Sequence, residues 1–363
     1  MKFSTSQRTL YLLSAVLLAL TLAIVAAWGL WRAPGTQVDG AGAPSTPNVG
    51  VPQEGTGLAV PETASDAVKT VVYYQDNYGY LVPVTRSIPN EPGIAKATLA
   101  MMVKSAYNDM EAARLGLRTV LPEGTSIDLD VSKDGVARID LGTQVMKMAD
   151  AQAEAAMVDA VVQTLTEFPT VERVEFLVGG QKRDALTFGT KVSGVFERGS
   201  INLEGGSQSA VEPSAMQTVQ LYFPGDASSL LVPVTRMVYG PSDINTAVLE
   251  LLKGPSAQSP LDNTLPPGCG LIGVAVKNGV ATINFTKEFM NVAENSDGGR
   301  VALRALVLTC TRFDGIKRVD VQVEGKPYDP GQSTLTVPTF VNDAASLTQE
   351  YIRTQTASII DMD

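Results

Sequence analysis

Leu81-Val82-Pro83-Val84-Thr85-Arg86 recurs letter for letter as Leu231-Val232-Pro233-Val234-Thr235-Arg236. Working outward, the neighbouring segments recur in the same order. Leu121-Pro122-Glu123-Gly124-Thr125 returns as Leu265-Pro266-Pro267-Gly268-Cys269, and Gly135-Val136-Ala137-Arg138-Ile139-Asp140 as Gly279-Val280-Ala281-Thr282-Ile283-Asn284. Arg173-Val174-Glu175 returns as Arg318-Val319-Asp320. Similarity that keeps its order marks an internal duplication, which decides the fold before any single element is read. The two copies span 67–192 and 215–340. The polar segment 193–214 between them, with Gly205-Gly206-Ser207-Gln208-Ser209, reads as a linker.

Each copy has one pattern. A β-rich opening (Val71-Val72-Tyr73-Tyr74, or Val219-Gln220-Leu221-Tyr222-Phe223) leads through a turn into Leu-Val-Pro-Val-Thr-Arg. The proline lacks an N–H, which places that run at a sheet edge or in irregular extended chain. In copy two, Ile244, Ala247, Val248, Leu251 and Leu252 follow the spacing of one helical face. Ser242 reads as the N-cap and Gly254-Pro255 as the stop. In copy one, Ile94, Ala95, Thr98, Leu99, Met102, Val103 and Ala106 make a similar face, but Tyr107 to Leu117 is left either to extend the helix or to form a loop. Asp134-Gly135 and Asn278-Gly279, flanked by apolar β-formers, signal hairpins. A second helix follows, with Met157, Val161, Val162, Leu165 and Phe168 inward in copy one, and Leu303, Leu306, Val307, Cys310 and Phe313 in copy two. A last strand closes each copy. The expected fold class is α+β: two tandem copies of a ββαββαβ two-layer module, each one sheet with two helices on a single face, preceded by one transmembrane helix. The tail 341–363 suggests a short helix.

Composition bounds the chemistry. The 363 residues carry 38 acids, 28 bases and no histidine. Lacking histidine, the chain cannot build a Ser-His-Asp or Cys-His nucleophile or a His-ligated zinc site. With an acidic balance and no basic run, nucleic acid is not expected as a partner.

The N-terminal segment carries its own signal. Leu10 to Leu30 is apolar and uncharged, and at about 1.5 Å per residue a helix of that length spans roughly 30 Å of hydrocarbon. A cytoplasmic stub 1–9 with Lys2 and Arg8, an anchor at 10–31 and outer-interface Trp28 and Trp31 place the rest of the chain outside the cell membrane. The rival is a cleaved signal peptide, against which the run is long. Pro and Gly alternate through 32–66, a linker of flexible-coil type.

Taken together, the tyrosine-bearing opening strand, Leu-Val-Pro-Val-Thr-Arg, Leu251-Leu252-Lys253-Gly254-Pro255, Leu-Pro-x-Gly, Asn278-Gly279-Val280-Ala281-Thr282-Ile283-Asn284 and Arg318-Val319-Asp320-Val321-Gln322-Val323-Glu324-Gly325 resemble the GerM domain family. Copy two matches best. The resemblance implies a membrane-tethered protein with tandem GerM domains, concerned with sporulation and spore germination. It also implies a domain similar to the ring-building folds of the channel between mother cell and forespore. Related domains in lipoproteins that work with sensor kinases keep the process open. The chain departs from the family in three ways: a transmembrane run stands where the best-known member has an acylated cysteine, copy one is longer between Arg86 and Leu121, and copy one lacks a Gly-Pro stop.

Candidate residues are few. Arg86 and Arg236 either contact a partner's carboxylate or an anionic wall polymer, or form an intramodule salt bridge or helix cap; duplication favours the latter. Asp128 and Asp130 share one strand face and read as solvated, since copy two has Ile272 and Val274 in the places read as equivalent. Gly179-Gly180 and Gly298-Gly299 read as turns. Cys269 and Cys310 are either bonded, worth about 4 kcal/mol by the chain-entropy model, or two small buried thiols, the preferred reading. No catalytic, cofactor or metal residue is assigned. The expected function is a non-enzymatic, membrane-anchored extracytoplasmic scaffold whose partners are the membrane and envelope or sporulation-complex proteins. The alternatives are a peptidoglycan- or ligand-binding accessory of an envelope signalling system and a wall hydrolase, the last requiring a carboxylate pair in a cleft.

Overall fold

A computed structural model describes residues 67–204, 216–225, 230–292, 296–328 and 341–344. The expected anchor at 10–31, the linker 32–66, residues 205–214 and the tail beyond 344 lie outside the described residues. Among the described residues no helix is long and apolar enough to cross a membrane.

Module 1 opens with a hairpin of β1 (Ala67–Gln75) and β2 (Leu81–Pro89), in register from Ala67 against Pro89 to Gln75 against Leu81. Helices α1 (Ile94–Ala100) and α2 (Ala106–Ala113) follow, then β3 (Ile127–Val131) and β4 (Val136–Leu141), helix α3 (Ala151–Leu165), β5 (Arg173–Val178) and β6 (Val195–Glu197). A short segment, β7 (Leu203–Glu204), precedes module 2. That module repeats the plan with β8 (Met216–Pro224), β9 (Leu231–Tyr239), α4 (Ile244–Lys253), β10 (Leu271–Lys277), β11 (Val280–Phe285), α5 (Ser296–Cys310), β12 (Arg318–Val323) and β13 (Lys326–Pro327).

The α+β duplication is as expected, but its layering is not. Each module has two separate sheets, the hairpin (joined by β7 in module 2, order β7-β9-β8) and a four-stranded sheet in sequential order, β3-β4-β5-β6 or β10-β11-β12-β13. The middle pair of each four-stranded sheet is parallel and its outer pairs antiparallel. The helices touch both sheets: α3 packs on β1 and β5, and α5 on β8 and β12. The reason is visible in α3, where the consecutive run Ala160 to Leu165 is buried. A helix so covered needs a neighbour on more than one side, and the hairpin supplies the second.

Local signals resolve in detail. Asp243, not Ser242, caps α4, its Oδ1 accepting from Thr246 N at 2.8 Å; the Ser242 hydroxyl instead donates to Thr218 O. Gly254 ends α4 at φ 78°, and a Cβ there would lie 1.9 Å from Asn263 Oδ1. In module 1 the helical pattern breaks after Ala100, and Ser105 caps a separate helix by accepting from Asn108 N. Gly298 and Gly299 are not a turn but lie in the first turns of α5, where Val292 O would sit 2.4 Å from a Cβ at Gly299.

The largest correction concerns 193–214. Residues 193–204 are built into the fold. β6 pairs with β5, and Arg198 donates to Tyr73 Oη and to Glu167, tying the segment to β1 and the end of α3. Glu154, fully buried in α3, accepts from Phe188 N and Thr190 N.

The repeated hexapeptide joins the modules. In a strand the N–H and C=O of one residue point to the same side. Residues 81, 83 and 85 turn theirs away from β1, toward module 2. Asn202 Oδ1 accepts from Leu81 N (2.8 Å), while its Nδ2 donates to Leu81 O (2.8 Å) and Pro233 O (2.7 Å). Asn342 repeats this with the modules exchanged: Oδ1 accepts from Leu231 N (2.8 Å), and Nδ2 donates to Leu231 O (2.8 Å) and Pro83 O (2.7 Å). Both asparagines are left-handed, at φ 49° and 48°, a conformation asparagine tolerates better than most residues. On their outward side Pro83 and Pro233 present only a carbonyl acceptor, which an asparagine Nδ2 fills, so the missing N–H costs no bond there. Flanking bonds follow the same exchange: Thr235 N donates to Ile201 O, and Thr85 N to Val341 O. Val82, Val84, Val232 and Val234 are buried at 0–1% exposure, and one apolar core runs through both modules.

Asn342→Ala should lower the unfolding free energy by about 2–4 kcal/mol, because three buried backbone groups lose their partner. Asn342→Asp should cost at least as much, since it aims an acceptor at two carbonyl oxygens. Chemical denaturation measures both; a loss below about 1 kcal/mol for the aspartate would mean that these bonds do not hold the junction.

Candidate functional site

Arg236 and Arg86 start from matched positions. Each guanidinium lies over an aromatic ring of its own hairpin, Arg236 over Phe223 at 5.6 Å and Arg86 over Tyr74 at 5.5 Å. The side chains are only 14% and 13% exposed, so the charge of each must be met within the fold.

Around Arg236 it is met fully. Nε and Nη2 donate to Glu204 Oε2 at 3.1 and 2.6 Å. Nη1 reaches Glu250 O and Oε2 at 3.1 and 3.2 Å, and Nη2 reaches Gly254 O at 2.8 Å. Glu204 arrives on β7, which runs parallel to β9 with Glu204 beside Arg236; its other oxygen accepts from Ser256 N. Arg236 therefore fastens β7, α4 and the Gly254 stop to β9.

Around Arg86 it is met in part. Nη2 donates to Glu111 O at 3.3 Å, and Nη1 stands 3.6 Å from Glu111 Oε2. Nε is buried with no hydrogen-bond partner. A cavity of about 280 Å³ opens beside it, with Tyr74, Tyr107, Glu111, Asp343 and Ala344 in its wall. Burial pushes the pKa of the Tyr74 phenol above its ordinary value against the opposing pull of Arg86, so Tyr74 faces Arg86 as a neutral ring.

The other candidate residues do not join this site. Asp128 and Asp130 are exposed on the edge strand β3, Asp128 3.9 Å from Lys96. The register corrects their counterparts. Asp128 stands opposite Asp140 and Asp130 opposite Arg138, positions held in module 2 by Gly273 opposite Asn284 and Ala275 opposite Thr282. Ile272 is the extra residue where the register shifts between Leu271 and Gly273, and Val274 matches Leu129. Gly179-Gly180 is a turn, with Gly180 N donating to Asp140 Oδ1. Leu10, Trp28, Leu30 and Trp31 lie outside the described residues. Among the described residues no group of three or more His, Cys, Asp or Glu side chains is placed to hold a metal ion.

Cys269 and Cys310 are free thiols rather than a disulfide. Burial pushes Cys310 up to about 12; burial, with Glu288 adding to it, pushes Cys269 up to about 11. Since an unfolded thiol ionises near its ordinary value of about 8.5, these groups favour the folded state fully below that pH. Their contribution is lost as pH rises toward 11 and 12.

Sequence reasoning missed Glu204, Glu111, Asn202 and Asn342. One signal was present. Ile201-Asn202-Leu203 and Val341-Asn342-Asp343 recur in the same order after each copy, but three residues with one identity do not stand out.

Two copies of one α+β module, each ending in a segment that fastens the other, define a tandem-domain protein. The chain belongs to the family described as "Germane: Sporulation and spore germination", which matches residues 71–184 and 220–329. It is 29% identical over 280 residues to the spore germination protein GerM of Bacillus subtilis (strain 168), covering 75% of this chain and 76% of that protein. The solved tandem GerMN domains of the sporulation protein GerM from Bacillus subtilis align with a TM-score of 0.66 at 27% identity, over 76% of this chain and 99% of theirs.

Arg236→Met should cost about 3–5 kcal/mol, because Glu204 is left buried without its cation; Arg86→Met should cost less than half as much. Thermal or denaturant unfolding compares the two. Intact mass without reductant should show both thiols free. Cys310 should resist iodoacetamide at pH 8 until the chain unfolds, and Cys310→Ala should flatten the alkaline fall in stability.

Proposed function

We propose that the chain is a membrane-anchored, extracytoplasmic, non-enzymatic scaffold that gathers envelope proteins during sporulation or germination. Family membership supports the process. The uncharged run from Leu10 to Leu30 supports the anchor and, with Lys2 and Arg8 before it, the outward placement of both modules.

The observation that carries the scaffold reading is the edge strand β10. It is the outer strand of its sheet, and Ile272 and Val276 are each 54% exposed on it. An apolar edge with unpaired backbone groups is a template for an added strand. Its counterpart β3 carries Asp128 and Asp130, charges of the kind that blunt an edge. The duplicated modules thus differ where a partner strand would dock.

Gly273→Asp with Ala275→Asp would give β10 the acids of β3. The full-length chain bearing this pair should keep its unfolding midpoint within a few degrees but recover several-fold less envelope protein than wild type from sporulating cells. Equal recovery would remove the edge from the interaction, and wild-type chain recovering no envelope protein would end the scaffold reading.

A further inference from the structure

The two arginine sites are copies with one part missing. In module 2, Glu204 lies two residues after Asn202 and takes both Nε and Nη2 of Arg236. In module 1, the residue two after Asn342 is Ala344, which has no carboxylate to offer. Asp343, one residue earlier, pairs with Lys69. The result is an Arg86 whose Nε is buried without a hydrogen-bond partner and whose side chain lines a cavity of about 280 Å³ with Ala344 in its wall.

We propose that this cavity binds a carboxylate presented by a glutamate side chain of a partner polypeptide. Three features fit that ligand. Nε and Nη2 of an arginine form a fork suited to a carboxylate, and Arg236 shows the fork engaged by a glutamate in the same fold. The two arginines also differ in how many carboxylates they meet. Around Arg236, the cations Arg236 and Lys253 meet the carboxylates Glu204 and Glu250. Among the described residues the Arg86 guanidinium meets one carboxylate, Glu111. Access is open at Tyr107, a lining residue that is 68% exposed. The volume suits one side chain with its stem and falls below the usual range for larger ligands. This site does not depend on the sporulation reading or on the β10 edge.

The test uses full-length protein and the dipeptide acetyl-Leu-Glu-amide, which copies Leu203-Glu204, with acetyl-Leu-Gln-amide as control. Saturation-transfer NMR should show saturable binding of the glutamyl peptide, with a Kd of about 1 mM or tighter, and at least tenfold weaker binding of the glutamine peptide. Ala344→Glu fills the cavity from within. It should raise the melting temperature by a few degrees while cutting peptide binding at least tenfold, so lost binding cannot be mistaken for unfolding. Arg86→Lys, keeping the charge but not the fork, should also weaken binding. No saturable binding to wild type overturns the proposal, including the case in which a carboxylate of this chain already fills the cavity. So does unchanged binding in Ala344→Glu.

Discussion

Two asparagine carboxamides set the conditions for the rest of the fold. Each offers one acceptor and two donors, and each spends all three on backbone groups of the repeated hexapeptide, two from one module and one from the other. The hexapeptide strands are buried on both faces, so their outward N–H and C=O groups cannot turn to water. Without the carboxamides the modules could still meet through Val82, Val84, Val232 and Val234, but with stranded backbone groups at the centre of the contact. Burial of the valines and satisfaction of the backbone are therefore one requirement, and the left-handed asparagine is the residue that meets it.

From that junction the remaining architecture follows outward. The segment that delivers Asn202 continues as β7 and places Glu204 beside Arg236; the one that delivers Asn342 places Asp343 near Lys69 and Ala344 near Arg86. Identical arginines over equivalent rings thus end in different electrostatic states because the residues two past each asparagine differ. Duplication preserved the frame and released one position, the same division seen between β3 and β10 at the far edge of each module.

Much of this was legible in the sequence. The duplication, the hairpins at Asp134-Gly135 and Asn278-Gly279, the helical faces and the Gly254 stop are local signals, and local signals are what a sequence displays. The layering was not legible, because the run Ala160 to Leu165 reads as an apolar face until the second sheet that covers its other side is known. Nor were residues 193–204, whose polar composition resembles a linker while Arg198 and Asn202 bond to residues more than a hundred positions away. The equivalence of Asp128 with Gly273 was hidden by the irregularity at Ile272, which only strand pairing reveals. Arg86 and Arg236 were found by recurrence, but the contrast between them rests on Glu204 and Ala344, which lie outside the obvious repeat.

The exchange of terminal segments has a consequence for how such a chain arose. The end of the first copy runs along β9 of the second, and the end of the second bridges back to β2 of the first. Severed between copies, the molecule would be two chains lending each other their C-terminal arms. That is the connectivity of a swapped homodimer, and fusion into one gene frees each half to diverge without losing its mate.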